Sequence, residues 1–246
     1  MVQHVQKDVK EFENLDKMFF RKLLGVPVST PTEAFCLELG VLDINTIIKS
    51  RRINYLHSIL RRNKNSMLYS FFFTQWNNQT KGDWTEIVRG DLEDFQIPCS
   101  LDSIAAKSKE SFKNLVKGKA KDFSLKKLKT EQSKHSKMKE LHYSDLKTQN
   151  YLTDPNLTPN QMRTIFRYRT RMEKFGENFR GGKLSVTCPL CRVHLDNQAM
   201  SFHCSVIKDN IDVNGDISDV YGENISMQTV DTIMKITEIR KSKLEM

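Results

Sequence analysis

The chain has 246 residues, of which 38% are hydrophobic and 28% charged, a balance typical of a folded protein and not of a fully disordered one. Its formal net charge of +9 favours an anionic partner, either a nucleic acid or an acidic membrane surface. No apolar run approaches the roughly 18 residues needed to cross a bilayer, the polar first residues show no secretory signal, and the odd number of five cysteines argues against a disulfide framework. We therefore expect an intracellular protein, in the nucleus or the cytoplasm.

Signals for the start and the end of helices recur in the first hundred residues. The helices predicted there begin after Asn14, Thr30, Asp43, Ser66 and Asp83. Thr30–Glu33 has the pattern of a capping box with a proline at the first helical position, and Gly25 and Gly40 are placed to end two of these helices. Because Met67–Trp76 is strongly apolar, we expect this helix in the deep core.

The second half of the chain is also mostly helical by pattern. Further helix starts are predicted at Ser100, Ser124, Ser144 and Thr158, and a last helix over Ser226–Leu244. The segments with strand character are Leu184–Thr187 and Met200–Cys204, and the segments typical of loops are Gly176–Lys183 and Ile207–Asn224. We expect a mainly α fold, a helical linker or bundle with a small zinc-knuckle-like element near the C-terminus. The predicted segments are a helical body over 1–98, a basic helical linker over 99–175, the knuckle over 176–206, and a loop with a C-terminal helix over 207–246.

The positive charge is concentrated in Lys107–Lys139. This segment has twelve lysines and three acidic residues, so its net charge of +9 equals that of the whole chain. Apolar residues alternate with the lysines, so a helix that packs by its apolar residues would direct the lysines to the solvent. Lysines that neutralise phosphates release condensed counterions, which gives salt-sensitive binding without sequence preference. The candidate nucleic-acid ligands of this segment are Lys113, Lys117, Lys121, Lys126 and Lys127.

Two arginine clusters offer further cations. Arg167, Arg169 and Arg171 alternate with aromatic residues, so their guanidinium groups could hold phosphates while the rings stack on bases. Arg51, Arg52, Arg61 and Arg62 form a smaller patch. The alternative for the lysines and arginines alike is a solvated helix face, which is what charge runs usually are. Membrane binding is less favoured, because the lysine segment lacks tryptophan and a dense apolar face.

Cys188-Pro189-Leu190-Cys191 is typical of half of a zinc knuckle, because a gap of two residues lets both sulfurs reach one tetrahedral ion. A second pair of ligands must follow, and the candidates are His194, His203 and Cys204. Neighbouring residues rarely bind the same ion, since their side chains diverge. Two zinc ligand sets therefore stay open: Cys188, Cys191 and Cys204 with His194, or Cys188, Cys191 and His203 with one further partner. The alternative is a group of ordinary buried thiols, whereas a redox pair is disfavoured because no strand–helix unit frames the motif.

Motifs of common catalytic sites are missing from the sequence. It has no glycine-rich phosphate loop, no serine nucleophile elbow, no paired-histidine metalloprotease motif and no adjacent aspartates as in a polymerase. We therefore expect a chain without catalytic residues of its own and without a small-molecule substrate.

Seven short motifs follow one another along the chain. They are Leu24–Pro27, Leu37–Gly40, Arg51–Leu56, Lys81–Trp84, Tyr143–Lys147, Phe166–Met172 and Cys188–Cys191. In this order they resemble the region after the thumb in LINE-type (non-LTR) retrotransposon reverse transcriptases, and the resemblance covers about Leu15 to Cys204. It implies a helical linker that ends in a CCHC zinc knuckle and holds RNA or DNA for a polymerase encoded upstream. Where the family commonly has a histidine ligand this chain has Ala199, so His194 or His203 would have to replace it.

These observations predict a non-catalytic nucleic-acid-binding fragment of a retrotransposon RNA-directed DNA polymerase. Its partner would be RNA or DNA, and its cofactor would be zinc. The alternative is a helical protein-interaction scaffold without a nucleic-acid role, which a large exposed apolar patch would favour.

Overall fold

The computed structural model describes residues 2–79, 81–179, 186–213 and 217–244 and is mainly helical, as predicted. The α-helices are α1 Val2–Leu24, α2 Thr32–Leu39, α3 Ile44–Leu60, α4 Met67–Asn78, α5 Trp84–Asp94, α6 Leu101–Ala105, α7 Lys109–Gln132, α8 Pro159–Arg169, α9 Gln198–Ser201, α10 Ser205–Lys208, α11 Ile217–Tyr221 and α12 Met227–Leu244. Short 3-10 turns lie at Ser136–Met138, Asn150–Leu152 and Gly176–Phe179. Within the described ranges, β structure is limited to one antiparallel bridge between Thr187 and Leu195. None of the described helices combines the length and the apolar character that a bilayer-spanning segment needs.

The chain divides into two compact units, each built from two stretches of sequence. The first unit comprises Met1–Lys17 and Leu42–Leu128, and the second comprises Met18–Val41 and Lys129–Met246. The four segments expected from the sequence, with boundaries at 98, 175 and 206, follow the chain linearly. The two units instead interleave along the sequence, because each combines residues that are far apart in the chain.

Five helices begin where the capping residues predict. The side chains of Asp43, Ser66, Asp83, Ser100 and Thr158 each accept a hydrogen bond from a backbone N–H of the first turn. At Thr158 the capping box is complete, since the Gln161 side chain accepts the backbone N–H of Thr158 in return. Gly25 and Gly40 end their helices with φ angles of 62° and 65°, a conformation that glycine adopts without the strain of a Cβ. These confirmed signals are all local in sequence.

Two predicted serine caps are wrong, because partners distant in sequence engage the serines. Ser124 lies inside α7, where it is buried and its hydroxyl lies 3.4 Å from the Asp43 carboxylate. Ser144 lies in irregular chain, and its backbone N–H and its hydroxyl both donate to the carboxylate of Glu223. The helix predicted from Ser144 is therefore absent from this described part of the chain.

Three expectations for the first hundred residues are also wrong. Asn14 does not start a helix, since it lies within α1. The capping box at Thr30–Glu33 does not form, since Pro31 occupies the cap position of α2 and makes no side-chain hydrogen bond there. Helix α4 is not deep core: Phe72 is buried, but Met67 and Phe71 are 90% and 62% exposed. An apolar run of this length covers every side of a helix, whereas α4 packs by one side only.

The segments expected to be extended or irregular near the C-terminus contain helices. Met200–Cys204 overlaps α9, because the side chain of Asn197 caps that helix by accepting the N–H of Met200 at 2.7 Å. The predicted loop Ile207–Asn224 contains the end of α10 and the whole of α11. Residues 180–183 of the other predicted loop and 184–185 of the predicted first strand lie outside the described residues.

The core of the first unit includes buried faces of α3, α5 and α7. In α7 the buried residues recur at every fourth position, at Phe112, Val116, Ala120, Ser124 and Leu128. The ring of His57 stacks on Phe112 with 4.5 Å between centroids, which joins α3 to α7. Arg52 of α3 donates to both carboxylate oxygens of Asp91 in α5 at 2.6 Å and 2.9 Å. This packing places one flank of α7 in the core and its other flanks toward solvent.

The second unit contains a fully buried ion pair. Glu38 of α2 and Arg169 of α8 are both 0% exposed, and Arg169 Nε lies 3.0 Å and 3.1 Å from the two carboxylate oxygens. The phenol groups of Tyr143 and Tyr151 donate to the same carboxylate at 2.5 Å and 2.6 Å. Burial, and after it the Glu38 charge, raises the pKa of both tyrosines well above their usual range. Both phenols therefore stay protonated and act as donors.

The buried guanidinium of Arg169 also holds backbone groups. Its Nη1 donates to the carbonyl oxygens of Val220 and Gly222, next to the end of α11. Burial lowers the pKa of Arg169, but the Glu38 charge outweighs this effect and the net direction is upward. The Arg169 side chain is therefore charged, and its hydrogen bonds are made to groups inside the second unit.

Gly40 permits a close approach between the end of α2 and the chain that follows α7. A Cβ at this position would lie 2.2 Å from the backbone carbonyl carbon of Lys147. Next to this approach, Gln149 N–H donates to the Glu38 carbonyl oxygen at 2.9 Å, and the Thr148 hydroxyl donates to the Leu39 carbonyl oxygen at 2.9 Å. Glycine is thus required by both its φ angle and the space available.

Replacing Glu38 by glutamine tests how much the second unit depends on the buried pair. Glu38→Gln leaves the Arg169 charge buried without a counter-charge, so we expect a loss of about 3–5 kcal/mol in the free energy of unfolding, measured by urea titration and circular dichroism. Glu131→Gln is the matched control, since Glu131 pairs with Lys134 on the surface and such pairs contribute about 0–1 kcal/mol. Equal unfolding midpoints for the two variants would contradict the assignment.

Candidate metal centre and nucleic-acid interface

Three cysteine sulfurs lie together in the second unit. The Sγ atoms of Cys188, Cys191 and Cys204 all lie within 4.8 Å of one another, with 3.9 Å between Cys188 and Cys204. Cys188 and Cys204 are buried, and Cys191 is half-buried. Three thiols at this separation could hold one metal ion.

A tight turn positions the first two sulfurs. The Arg192 N–H donates to the Cys188 carbonyl oxygen at 2.9 Å, and the Cys188 N–H donates to the His194 carbonyl oxygen at 2.8 Å. Arg192 adopts a positive φ of 56°, which turns the chain after the second cysteine. Cys204 reaches the pair from the cap position of α10. The local fold therefore has the form of a knuckle closed by the cap residue of a short helix.

The three thiols differ in acidity because their surroundings differ. Burial raises the pKa of Cys191, but the backbone N–H groups of Val193 and His194 donate to its sulfur and bring the pKa down to about 7. Burial, together with the nearby Cys188, raises the pKa of Cys204 to about 11. A divalent cation among the sulfurs would favour the thiolate form of all three.

The structure brings together the three predicted cysteines but neither of the two predicted histidines. Within the described residues, the group of possible ligand atoms contains Cys188, Cys191 and Cys204 alone. His203 is exposed, and His194 takes part in the knuckle through its backbone groups. Ala199, at the position where the resemblance places a histidine, lies half-buried on α9.

Asp196 ties the knuckle to the C-terminal helix. Its carboxylate accepts hydrogen bonds from Arg240 of α12 at 2.6 Å and 3.1 Å and from the backbone N–H of Gly176 at 2.7 Å. The Arg240 guanidinium also lies over the Phe175 ring, 4.1 Å from its centroid. Sequence reasoning missed both Asp196 and Arg240, because they are 44 positions apart and neither belongs to a local motif.

A second tie holds α9, the helix just before Cys204. The Tyr168 hydroxyl of α8 is hydrogen-bonded to the Ser201 hydroxyl and to the Gln198 carbonyl oxygen. Burial raises the pKa of Tyr168 far above its usual range, so this phenol is protonated. Tyr168 therefore anchors α9 to the core, and α9 in turn positions Cys204, the third cysteine of the cluster.

The predicted lysines of α7 lie mostly at the surface. Lys113, Lys117 and Lys126 are exposed and Lys121 is half-buried, whereas Lys127 is exposed but pairs with Asp43 at 3.2 Å. With Lys109, three of them form a row in which each lysine follows the previous one by four positions, and we call Lys109, Lys113, Lys117 and Lys121 the lysine stripe. Positions four apart lie on one face of a helix, separated by about 6 Å along its axis. The stripe is one residue displaced from the buried row, so it runs beside the core-facing flank.

The predicted arginines are largely engaged inside the fold. Arg169 is fully buried against Glu38, so the prediction that it contacts nucleic acid is corrected. Arg167 pairs with Glu173 at 3.0 Å, and Arg171 pairs with Glu140 at 2.5 Å. In this cluster, the amphipathic pattern reflects internal ion pairs more than a surface for phosphates.

The smaller arginine patch on α3 divides in the same way. Arg52 is bound by Asp91 in the core of the first unit, and Arg51 is exposed. The predicted cations that the first unit presents to solvent therefore include Arg51, Lys113, Lys117 and Lys126.

Serine replacement of a cluster cysteine tests the metal centre. We expect the native chain to bind one Co²⁺ with the intense thiolate-to-metal absorption of sulfur ligands, and Cys188→Ser to lose this absorption because one of three sulfurs is gone. Cys99→Ser is the control, since Cys99 is exposed and outside the cluster. Identical Co²⁺ spectra for the two variants would refute the site.

Replacing Arg240 tests whether α12 supports the thiols at a distance. Arg240→Gln removes the charge that holds Asp196, so we expect Co²⁺ affinity to fall about 10- to 100-fold, the range for residues that orient metal ligands indirectly. Lys241→Gln changes the exposed neighbouring cation and should leave the affinity unchanged. An unchanged affinity in Arg240→Gln, with helix content retained, would show that the knuckle is held without this contact.

No protein-family model, curated protein or solved structure matches this chain. What the thiols and the lysine stripe can bind is therefore inferred from their own geometry and charge.

Proposed function

We propose that the chain is a non-catalytic nucleic-acid-binding protein whose first unit grips the phosphate backbone through the lysine stripe. The observation that supports this most directly is the row of lysines on the solvent side of a helix whose buried face packs into the core. The helix holds the backbone of the four lysines at a regular spacing, so this part of the chain needs no backbone ordering when an anionic strand arrives. Binding of this kind is read from phosphates and has no sequence preference.

Repulsion between the lysines of the stripe favours the binding of an anionic partner. Like charges four positions apart destabilise a helix, and the stripe contains three such successive pairs. Among the described residues, the structure places no carboxylate in ion-pair contact with Lys113, Lys117 or Lys121. A phosphate backbone would relieve this repulsion and release its own condensed counterions.

Zinc is the metal that we propose for the cysteine cluster. Thiolate sulfur is a preferred ligand of zinc, and a gap of two residues between the first two sulfurs is common in structural zinc sites. When bound, the ion would supply folding free energy to the knuckle. Displacement of Co²⁺ by one equivalent of Zn²⁺ at Cys188, Cys191 and Cys204 would support this choice.

The ordered motifs support a proposed origin for the chain. We propose that it corresponds to the region after the thumb of a LINE-type reverse transcriptase, and that its nucleic-acid binding serves a polymerase encoded upstream. The chain itself is proposed to be inactive in primer extension, which an assay with magnesium, a primed template and deoxynucleotides measures directly.

The lysine stripe is tested by its effect on salt dependence. In Lys113→Gln/Lys117→Gln/Lys121→Gln, three phosphate contacts are lost, so we expect weaker binding of a labelled single-stranded oligonucleotide. The slope of log affinity against log salt should decrease in magnitude by about 2, at about 0.7 per phosphate for a single strand. Fluorescence anisotropy across a salt series measures both quantities.

The matched control changes the same charge elsewhere. Lys235, Lys241 and Lys243 are three exposed lysines on α12, and their replacement by glutamine should leave the slope close to that of the native chain. Equal losses in the two triple variants would mean that net charge alone attracts the strand. Absence of binding by the native chain at low salt would refute the proposed function.

A protein-interaction scaffold is the second candidate, and exposed apolar residues of α1 favour it. Met18, Phe19 and Leu23 are all exposed on the last turns of that helix. Large apolar side chains grouped on one helix are typical of a surface that another protein covers. A native chain that binds no nucleic acid but associates with a protein independently of salt would support this candidate.

A further inference from the structure

A chain of touching aromatic rings crosses three helices of the first unit. The successive centroid distances are 5.7 Å for Tyr55–Trp84, 6.2 Å for Trp84–Phe72, 6.4 Å for Phe72–Phe73 and 5.4 Å for Phe73–Tyr69. The middle of this series, Phe72, is buried, whereas Tyr55 and Phe73 are 48% and 37% exposed. Tyr55 and Phe73 therefore each pack against a neighbouring ring and still present part of their own ring to solvent.

Arginines flank the exposed ring of α3. Arg51 precedes Tyr55 by one turn, and both are exposed, within an arc of about 40° on the helix surface. Arg61 and Arg62 are exposed directly after the helix ends. The helix therefore carries an aromatic surface between two sets of cations.

The acidic groups closest in sequence to Trp84 are occupied by the start of α5. Asp83 accepts the Glu86 N–H as the helix cap, and the Glu86 carboxylate accepts the Gly82 N–H. Arg89 of the same helix lies over the Trp76 ring, 4.3 Å from its centroid. Both residues are half-buried, and the Arg89 guanidinium also donates to the Trp76 carbonyl oxygen, so Arg89 is engaged within the unit.

We propose that Tyr55 and Phe73 stack on unpaired bases of a single-stranded nucleic acid, while Arg51 and Arg62 contact its phosphates. This inference rests on the proposed function and adds the substrate class. The flat face of a base is available to a ring only where the base is unpaired, and stacking tolerates every base. A duplex offers its phosphates to the lysine stripe but no base face to Tyr55.

The ring contacts suit Tyr55 and Phe73 to this role. An edge-on contact with Trp84 restrains the Tyr55 ring, and a stacked contact with Tyr69 restrains Phe73. Restrained rings lose little conformational entropy when a base arrives. Phe71, two positions before Phe73, is more exposed at 62% but points about 160° away around the helix and is outside the series of touching rings.

Affinities for a single strand and for a duplex of the same sequence and length, at one salt concentration, test the inference. Tyr55→Leu keeps apolar bulk against Trp84 but removes the ring, so we expect single-strand affinity to fall about five- to 150-fold, as for the loss of a stacked base. Duplex affinity should be unchanged. Tyr55→Phe keeps the ring and should bind like the native chain.

Phe73→Leu should resemble Tyr55→Leu, and Phe71→Leu is the matched control with unchanged affinity. The two tryptophans of the chain, Trp76 and Trp84, both lie in this unit, so their fluorescence should change when a single strand binds and less so in Tyr55→Leu. Circular dichroism melting checks that each variant is folded.

Two results would overturn the inference. One is equal single-strand affinity for Tyr55→Leu and the native chain, and the other is an equal loss for single strand and duplex. Both differ from failure of the proposed function, in which the native chain binds neither nucleic acid and the lysine variants have nothing to weaken.

Discussion

The fully buried carboxylate of Glu38 is the strongest constraint on the second unit. Its oxygens accept hydrogen bonds from the guanidinium of Arg169 in α8 and from the phenols of Tyr143 and Tyr151 in the chain between α7 and α8. A buried charge destabilises a fold severely if one of its partners is displaced. The position of Glu38 therefore fixes α2, α8 and the irregular chain between α7 and α8 together. The same guanidinium then holds the backbone next to α11.

The elements that sequence predicts well are those decided by neighbouring residues. Asp43, Asp83 and Thr158 begin helices because a side chain three positions ahead of a free N–H satisfies it locally. Ser124 and Ser144 have the same chemistry but are engaged by Asp43 and Glu223, which lie 81 and 79 positions away. Local pattern offers no sign of such partners. The mainly helical class was predictable because helical periodicity and caps such as these are local signals.

The candidate site shows the same division. The spacing of Cys188 and Cys191 predicts that their sulfurs meet, and Cys204 joins them. Arg169 looked equivalent to the surface lysines by composition, yet its position on α8 places it at the centre of the unit. In α7 a row of apolar residues packs into the core, and the lysines beside that row are left at the surface. Asp196 and Arg240 had no local signal of any kind.

The tight passage at Gly40 makes a residue without a side chain one of the least replaceable in the chain. A single added methyl group would push against the backbone at Lys147 and strain the hydrogen bond from Gln149 to Glu38. The disturbance would spread along the main chain toward Tyr151, which belongs to the buried carboxylate. The distance between two backbones therefore limits which substitutions this unit tolerates. In a survey of all single substitutions, we expect Gly40 to be among the positions where the fewest replacements leave the protein folded.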